Sequence, residues 1–401
     1  DVANTTLGLD ATDVGNVFGS KLNIKTDRVD ISAPIQPSTN ALGIAPLTLA
    51  GGNPRAVTIV ATKTGGADLE LTNADINNVT VGELALGDAV SGPLTVQSAV
   101  TVPSTIGTLS LNSGDQVGGI TINAPMTSTT SFALVGDVMF LNAPVATSTG
   151  SILIAPSTAG RGIELGSRTA GKLGLSSSEI ETMLSAPLGT LTFGSTAAGN
   201  IDVLATLNLA SSNPPLFRDV SLVSGGTIYV DADGSVTAPG SIMLNANRIT
   251  LSGPLTSVDV GSIALTADRM DIQSNVEAQN LSAVTGQGEI RIQPRTPRLI
   301  TLGSDDTAVG GTNLGLTSSE IANLEAQSVL RIGDATNTRS IQIDPVANDV
   351  IQPSSSTMSL VAGPTNVSNT INQTGAGTIA VSSLSATARN GITLDQSNDI
   401  G

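Results

Sequence analysis

The sequence predicts an all-β fold, a right-handed parallel β-helix with coils of about 19–21 residues, and three observations carry that expectation. The first is a tandem block. Residues 240–260 (GSIMLNANRITLSGPLTSVDV) and 261–281 (GSIALTADRMDIQSNVEAQNL) overlay at a spacing of 21. The overlay pairs Ile242 with Ile263, Leu244 with Leu265, Arg248 with Arg269, Ile249 with Met270, Leu251 with Ile272 and Leu255 with Val276. Apolar and polar residues alternate over short stretches, which is strand periodicity. A strand–turn unit of about 20 residues cannot bury its apolar face alone, but it can when stacked on a copy of itself.

The second observation is composition. The 401 residues hold only six aromatics, Phe18, Phe132, Phe140, Phe193, Phe217 and Tyr229. An ordinary core of this size uses many more, whereas a narrow tube of stacked Ile, Leu, Val and Ala has no room for them. The third is turn chemistry. The 43 glycines and abundant Ser, Thr and Asn fit a chain that turns every few residues. A solenoid core lengthens without widening, so residues 1–401 are expected to form one continuous domain. Roughly 20 coils at ~4.8 Å would then make a rod on the order of 95 Å long.

The block recurs elsewhere. SKLNIKTDRVDISAPI (20–35) places Leu22, Ile24, Arg28, Val29, Ile31 and Ile35 where the 242 block has Ile242, Leu244, Arg248, Ile249, Leu251 and Leu255. A 19-residue version relates ITINAPMTS (120–128) to MFLNAPVAT (139–147), so Asn123 falls on Asn142 and is expected to form an amide ladder. Pro125, Pro144 and Pro254 follow strands, where a missing N–H costs no ladder bond.

A larger repeat overlies the coils. LGLSSSEIETMLSAPLGTLTFG (173–194) resembles LGLTSSEIANLEAQSVLRIG (314–333), with a weaker copy from Leu7. Upstream, Ile163–Gly166 matches Ile300–Gly303. In each copy a polar residue stands three places before an acid: Ser176 and Glu179, Thr317 and Glu320, Asp10 and Asp13. That is a capping box. With Ile180 and Leu184, or Ile321 and Leu324, at helical spacing, it predicts a short helix emerging from the side of the coil in each copy.

These motifs carry a resemblance. The pattern LGL-(S/T)-x-x-E-(I/V), the Gly199-Asn200-Ile201-x-Val203 string, Ile122–Pro125 (INAP) and Asn390–Leu394 (NGITL) resemble filamentous haemagglutinin-type proteins. The similarity is repeat-style and covers most of the chain. That family consists of large bacterial exoproteins built on right-handed parallel β-helices, which implies an extracellular or cell-surface location. The family's secretion domain, marked by an Asn-Pro-Asn-Gly-type motif, has no counterpart in these residues.

No signal peptide precedes Asp1, which reads as a mature segment or a fragment. Joined tail to head, ITLDQSNDIG and DVANTTLGL parallel ITLGSDDTAVGGTNLGL (300–316). Neither end carries a capping helix. The expectation is either a slice of a longer repeat chain or end-to-end self-association into a homopolymer.

Chemistry is sparse. With no histidine and no cysteine, Ser–His–Asp and Cys–His catalysis, disulfides and His- or thiolate-based metal sites are excluded. No catalytic, cofactor-binding or metal site is predicted, and no cofactor. Asp305-Asp306 reads as a turn cap, and Asp231-Ala-Asp233-Gly234 as a tight turn because the distal Glu of a calcium loop is missing. Arg28, Arg248 and Arg269 recur at one coil position and are expected to pair with acids such as Asp27, Asp30, Asp268 or Asp271. The net charge, 17 − 33 = −16, argues against nucleic acid and anionic membranes as partners. No run of 18 apolar residues spans a bilayer.

The expected function is therefore structural and adhesive, without enzymatic activity: a surface-adhesin shaft or an extracellular-fibre or biofilm-matrix subunit, with a host-cell or neighbouring-cell receptor as the other partner. Two alternatives are a polysaccharide-degrading β-helix, which needs carboxylates converging on a lateral groove, and a lectin-like module, which needs an aromatic-lined cleft.

Overall fold

A computed structural model describes residues 7–9, 20–47, 55–66, 68–114, 118–185, 189–210, 219–259, 261–281, 287–304, 312–344, 349–363, 369–374 and 376–401. The chain divides into two compact units. One comprises Asp1–Gly194 with Ser212–Phe217, the other Ser195–Ser211 with Arg218–Gly401. Each is a parallel β-helix built from short strands on three faces.

In the first unit the long face stacks Leu22–Lys25, Ala41–Ala45, Val81–Leu86, Ile106–Ser113, Ser131–Gly136, Ile152–Ala155 and Thr190–Gly194 in that order, all parallel. Register places Leu42, Leu84, Leu109, Phe132, Ile152 and Leu191 in one interior column, every member at most 1 % exposed. Alternation makes this possible: in a strand the residues between these point outward. Burial of each such side chain contributes about 1.5–3 kcal/mol.

The second unit repeats the arrangement. Its long face runs Asp219–Val223, Ile242–Asn245, Ile263–Thr266, Glu289–Gln293, Val329–Ile332, Thr357–Val361 and Ser383–Thr387. All six pairs expected from the 21-residue overlay are found in register: Ile242 on Ile263 and Leu244 on Leu265, Arg248 on Arg269, Ile249 on Met270 and Leu251 on Ile272, and Leu255 on Val276. The 19-residue copy holds equally, with Ile120 on Met139 and Met126 on Val145. Pro125 and Pro144 precede third-face strands and keep their carbonyls in the ladder, accepting from Val100 N and Met126 N at 2.9 Å.

The glycines at one corner allow the closest approach between rungs. A Cβ on Gly261 would lie 1.9 Å from the carbonyl oxygen of Gly240. Gly261→Ala is expected to cost about 1–3 kcal/mol by overpacking, read as a lowered midpoint in urea unfolding.

Most coils are longer than the expected 19–21 residues. Leu84 is in register with Leu109, Ile263 with Ile290 and Leu330 with Met358, separations of 25, 27 and 28. Three coils are about twice the expected length. Ile44 is in register with Leu86, Ile152 with Leu191 and Ile290 with Leu330, separations of 42, 39 and 40 residues. Each long coil carries an extra strand on the second face. Val57–Ile59 pairs with Leu69–Leu71, Ile163–Leu165 with Leu173–Leu175, and Arg298–Leu302 with Asn313–Leu316, all parallel. The returning strand lies on one side of the first strand, and in the first and third cases the next coil's strand pairs on the other.

A single-turn helix follows each returning strand: α1 (Asn73–Asn77), α2 (Ser177–Glu181) and α3 (Ser318–Ala322). The helices expected after 173 and 314 are α2 and α3. The copy beginning near residue 7 lies outside the described residues beyond Leu9. Two expectations need correction. Leu184 and Leu324 do not extend the helices; each belongs to the next strand, Met183–Ser185 or Leu324–Ala326. Nor do the helices stand out from the coil, because Ile76, Ile180 and Ile321 are 0–1 % exposed and help fill the interior.

Candidate functional site

Three carboxylates with several partners each sit where the three helices meet the coil beneath. All three N-termini are complete capping boxes, with Thr72 and Asp75, Ser176 and Glu179, and Thr317 and Glu320 exchanging side-chain and backbone bonds. Each N3 carboxylate does a second job. Asp75 Oδ1 accepts from Ile31 N at 2.9 Å, Glu179 Oε1 from Leu141 N at 3.2 Å and Glu320 Oε1 from Ile272 N at 3.0 Å. Two helices add an amide at their C-cap: Asn78 Nδ2 donates to Ile31 O at 2.6 Å and Asn323 Nδ2 to Ile272 O at 2.9 Å. One helical turn thus brackets both backbone groups of a residue on the neighbouring rung, as a strand would.

The three brackets differ in charge. Lys63 Nζ lies 2.8 Å from Asp75, and Arg168 donates to Glu179. Glu320 has no cation against it among the described residues. Burial pushes the Asp75 carboxyl up, but hydrogen bonds from Lys63, Thr72 and Ile31 together outweigh it and hold the group below the usual carboxylate range. Glu179 likewise is lowered: burial opposes, and bonds from Ser176 and Leu141 with the nearby Arg168 prevail. At Glu320 burial wins, reinforced by the charge of Asp271, and the carboxyl is raised.

Linkage then gives the two sites opposite slopes. A lowered group stabilises above its unfolded pKa and loses that contribution as pH falls through its folded value. A raised acid contributes most at low pH and loses it as pH rises through its folded value. Urea unfolding of wild type and Asp75→Asn between pH 3 and 7 is expected to diverge as pH rises. For Glu320→Gln, the wild type is expected to lose ground relative to the variant over the same rise.

Other buried carboxylates are also consumed internally. Glu164 accepts from Lys172 Nζ and Thr169 N, both at 2.8 Å. Asp137, 0 % exposed, accepts from Thr158 N at 2.9 Å with Arg161 3.6 Å away. Glu289 bridges Arg291 and Arg331, each at 2.6 Å. No group of three or more acids placed for a metal ion occurs among the described residues.

The long face of the first unit carries a cavity of about 470 Å3 lined by Lys21, Asn23, Lys25, Glu83, Asp88 and Asn112, among others. Small outward residues, Gly43, Ala85 and Ser110, stack in register to make it concave. Asp88 pairs with Lys25 at 3.0 Å. Burial pushes its carboxyl up, yet bonds from Lys25, Ser91 and Val90 hold it below the ordinary range, so it is an ion rather than a proton donor near neutrality. The groove offers amides, a hydroxyl-bearing rim and mixed charge, which suits hydrogen-bonded contact with a polar ligand.

The residues singled out in the sequence fall as follows. Asp231 makes the tight turn, accepting from Asp233 N at 3.1 Å and Gly234 N at 2.9 Å. Asp305 and Asp306 lie outside the described residues. Asn142 Nδ2 donates to Asn123 Oδ1 at 2.9 Å, the expected amide ladder. Phe132 and Phe193 are buried, whereas Phe140 faces out beneath Arg168, 4.6 Å from its ring centroid. Phe18 and Phe217 lie outside the described residues.

The arginine expectation needs revision. Asp27 pairs with Arg55, Asp30 with Lys63 and Asp268 with Arg298. Arg28 donates to the Gly65 carbonyl at 2.6 Å. Arg248 and Arg269 make no ion pair among the described residues. Sequence reasoning also missed α1. Its signal was present as Leu71-Thr72-x-x-Asp75-Ile76, the capping pattern with Asp in place of Glu.

The fold and the internal use of its polar groups define the class: a parallel β-helix with helical brackets at the long coils. No family model, no curated protein and no solved structure matches the chain.

Proposed function

We propose that the chain is a structural and adhesive extracellular element of the filamentous haemagglutinin kind: either a shaft segment of a large bacterial surface adhesin or a subunit that stacks end to end into a fibre. The observation that supports this reading best is how the buried carboxylates are used. Buried Asp75, Asp137, Glu164 and Glu289 and half-buried Glu179 are each engaged by cations, and all but Glu289 also by backbone amides. Buried Glu320 is held by backbone amides, with no cation against it among the described residues. They act as fasteners between rungs or within the inserted loops. Continuous in-register ladders around an aliphatic interior resist local opening, because every rung is held from both sides. A stiff element of this kind holds a contact point away from the cell that displays it.

Electron microscopy of native cell-surface material tests the reading. Unbranched filaments or surface projections labelled by antibody to this chain support it. Label confined to the cytoplasm overturns it.

A further inference from the structure

Two pairs of arginines in the second unit stand on neighbouring rungs, and they are handled differently. On the long face Arg291 is in register with Arg331. Glu289 is placed between them, its Oε2 2.6 Å from Arg291 Nη2 and its Oε1 2.6 Å from Arg331 Nε. On the second face Arg248 is in register with Arg269. No carboxylate bridges that pair among the described residues, although like charges facing each other across a sheet repel.

The acids that flank Arg269 in the sequence are committed elsewhere. Asp268 accepts from Thr296 N at 2.8 Å, from Thr296 Oγ1 at 2.9 Å and from Arg298 Nη2 at 3.0 Å. Asp271, two residues from Arg269 on the same face, takes both bonds offered by Gln273 Nε2, at 3.1 and 3.0 Å. Two more guanidinium groups bond to the residues that precede the pair in the chain. Arg295 Nη1 donates to Asn247 Oδ1 at 2.9 Å, beside Arg248, and Arg298 Nη1 to the Asp268 carbonyl at 3.2 Å, beside Arg269. Tyr229 is stacked on Thr250 in the adjacent outward column.

Residue type points the same way. Every cation from Ser195 onward is arginine, and all four lysines lie earlier in the chain. The planar guanidinium fork matches an oxyanion in two-point geometry, which an ammonium does not.

We propose that this stretch of the second face binds an acidic polysaccharide, whose carboxylate bridges Arg248 and Arg269 as Glu289 bridges Arg291 and Arg331, while the Tyr229 ring meets a sugar face. The paired arginines lie along the stacking direction at the ~4.8 Å rung spacing, so a chain bearing successive carboxylates runs along the coils. A single-stranded nucleic acid fits less well. It needs a series of stacking rings, whereas Tyr229 is flanked in its column by Asp202 and Thr250.

The test is affinity electrophoresis of the full chain at low salt through gels containing polygalacturonate, neutral dextran or single-stranded DNA, with titration by monomeric galacturonate alongside. Retardation by polygalacturonate alone is expected. The double variant Arg248→Gln/Arg269→Gln should weaken it by about tenfold or more, two charge-assisted contacts being lost. A charge-matched control at two exposed arginines, Arg339→Gln/Arg389→Gln, should retain the wild-type affinity. Thermal melts of both variants establish that each is folded. The proposal is overturned if the wild type is not retarded, or if the control loses as much as the arginine variant. Equal retardation by DNA, or monomer bound as tightly as polymer, overturns it as well.

Discussion

Replacing Asp75 with alanine is expected to destabilise the first unit by about 3–5 kcal/mol, the range for removing one partner of a buried charged pair. The side chain is 3 % exposed and accepts from Ile31 N, Thr72 N, Thr72 Oγ1 and Lys63 Nζ. Alanine leaves the Ile31 and Thr72 amides without acceptors and Lys63 half-buried without this carboxylate. The loss should be read by urea unfolding and by accelerated hydrogen exchange at Ile31. A change under about 1 kcal/mol, the net worth of an ordinary hydrogen bond, would mean that the bracket is incidental to the stacking.

Phe132→Ala is expected to cost a similar amount, about 3–5 kcal/mol, through a different mechanism. Phe132 fills the interior between Leu109 and Ile152 and is 1 % exposed. Rungs tied by ladders on both sides cannot collapse inward, so a cavity remains where the ring was. Phe132→Leu, which keeps most of the volume, should recover the larger part. If the two variants melt together, the interior column is not close-packed at that rung.

The interior was legible in the sequence because a stacked fold repeats its own pattern. When one coil lies on another, matched positions share an environment, so Ile242 and Ile263 are alike for the same reason that they touch. The same logic located α2 and α3, whose capping boxes are local and written in consecutive residues. It failed where partners are distant. Nothing near Glu179 announces that its second acceptor site takes Leu141 N, 38 residues back. Nor does the sequence around Asp75 reveal that Asn78 joins it on Ile31. The fold-back of the extra strand was hidden too, since the returning strands Leu69–Leu71, Leu173–Leu175 and Asn313–Leu316 read like any other rung. The arginine pairing is not legible in the sequence, because nearness along the chain does not fix which charges meet. Asp268 is Arg269's neighbour along the chain, yet its carboxylate is taken by Thr296 and Arg298 from another coil.

The central claim is that outward residues in one register column climb the first unit rung by rung. Asn23, Gly43, Ala85, Ser110, Ala133, Leu153 and Thr192 form such a column. With no native cysteine, spin labels can be placed cleanly on Asn23→Cys and Thr192→Cys, and double electron–electron resonance read between them. Six rungs at ~4.8 Å predict a narrow distribution near ~29 Å, shrinking to two rungs when the first label is moved to Ala133→Cys. A broad distribution, or a distance that does not shorten with the number of rungs removed, would contradict the stacked arrangement on which the rest depends.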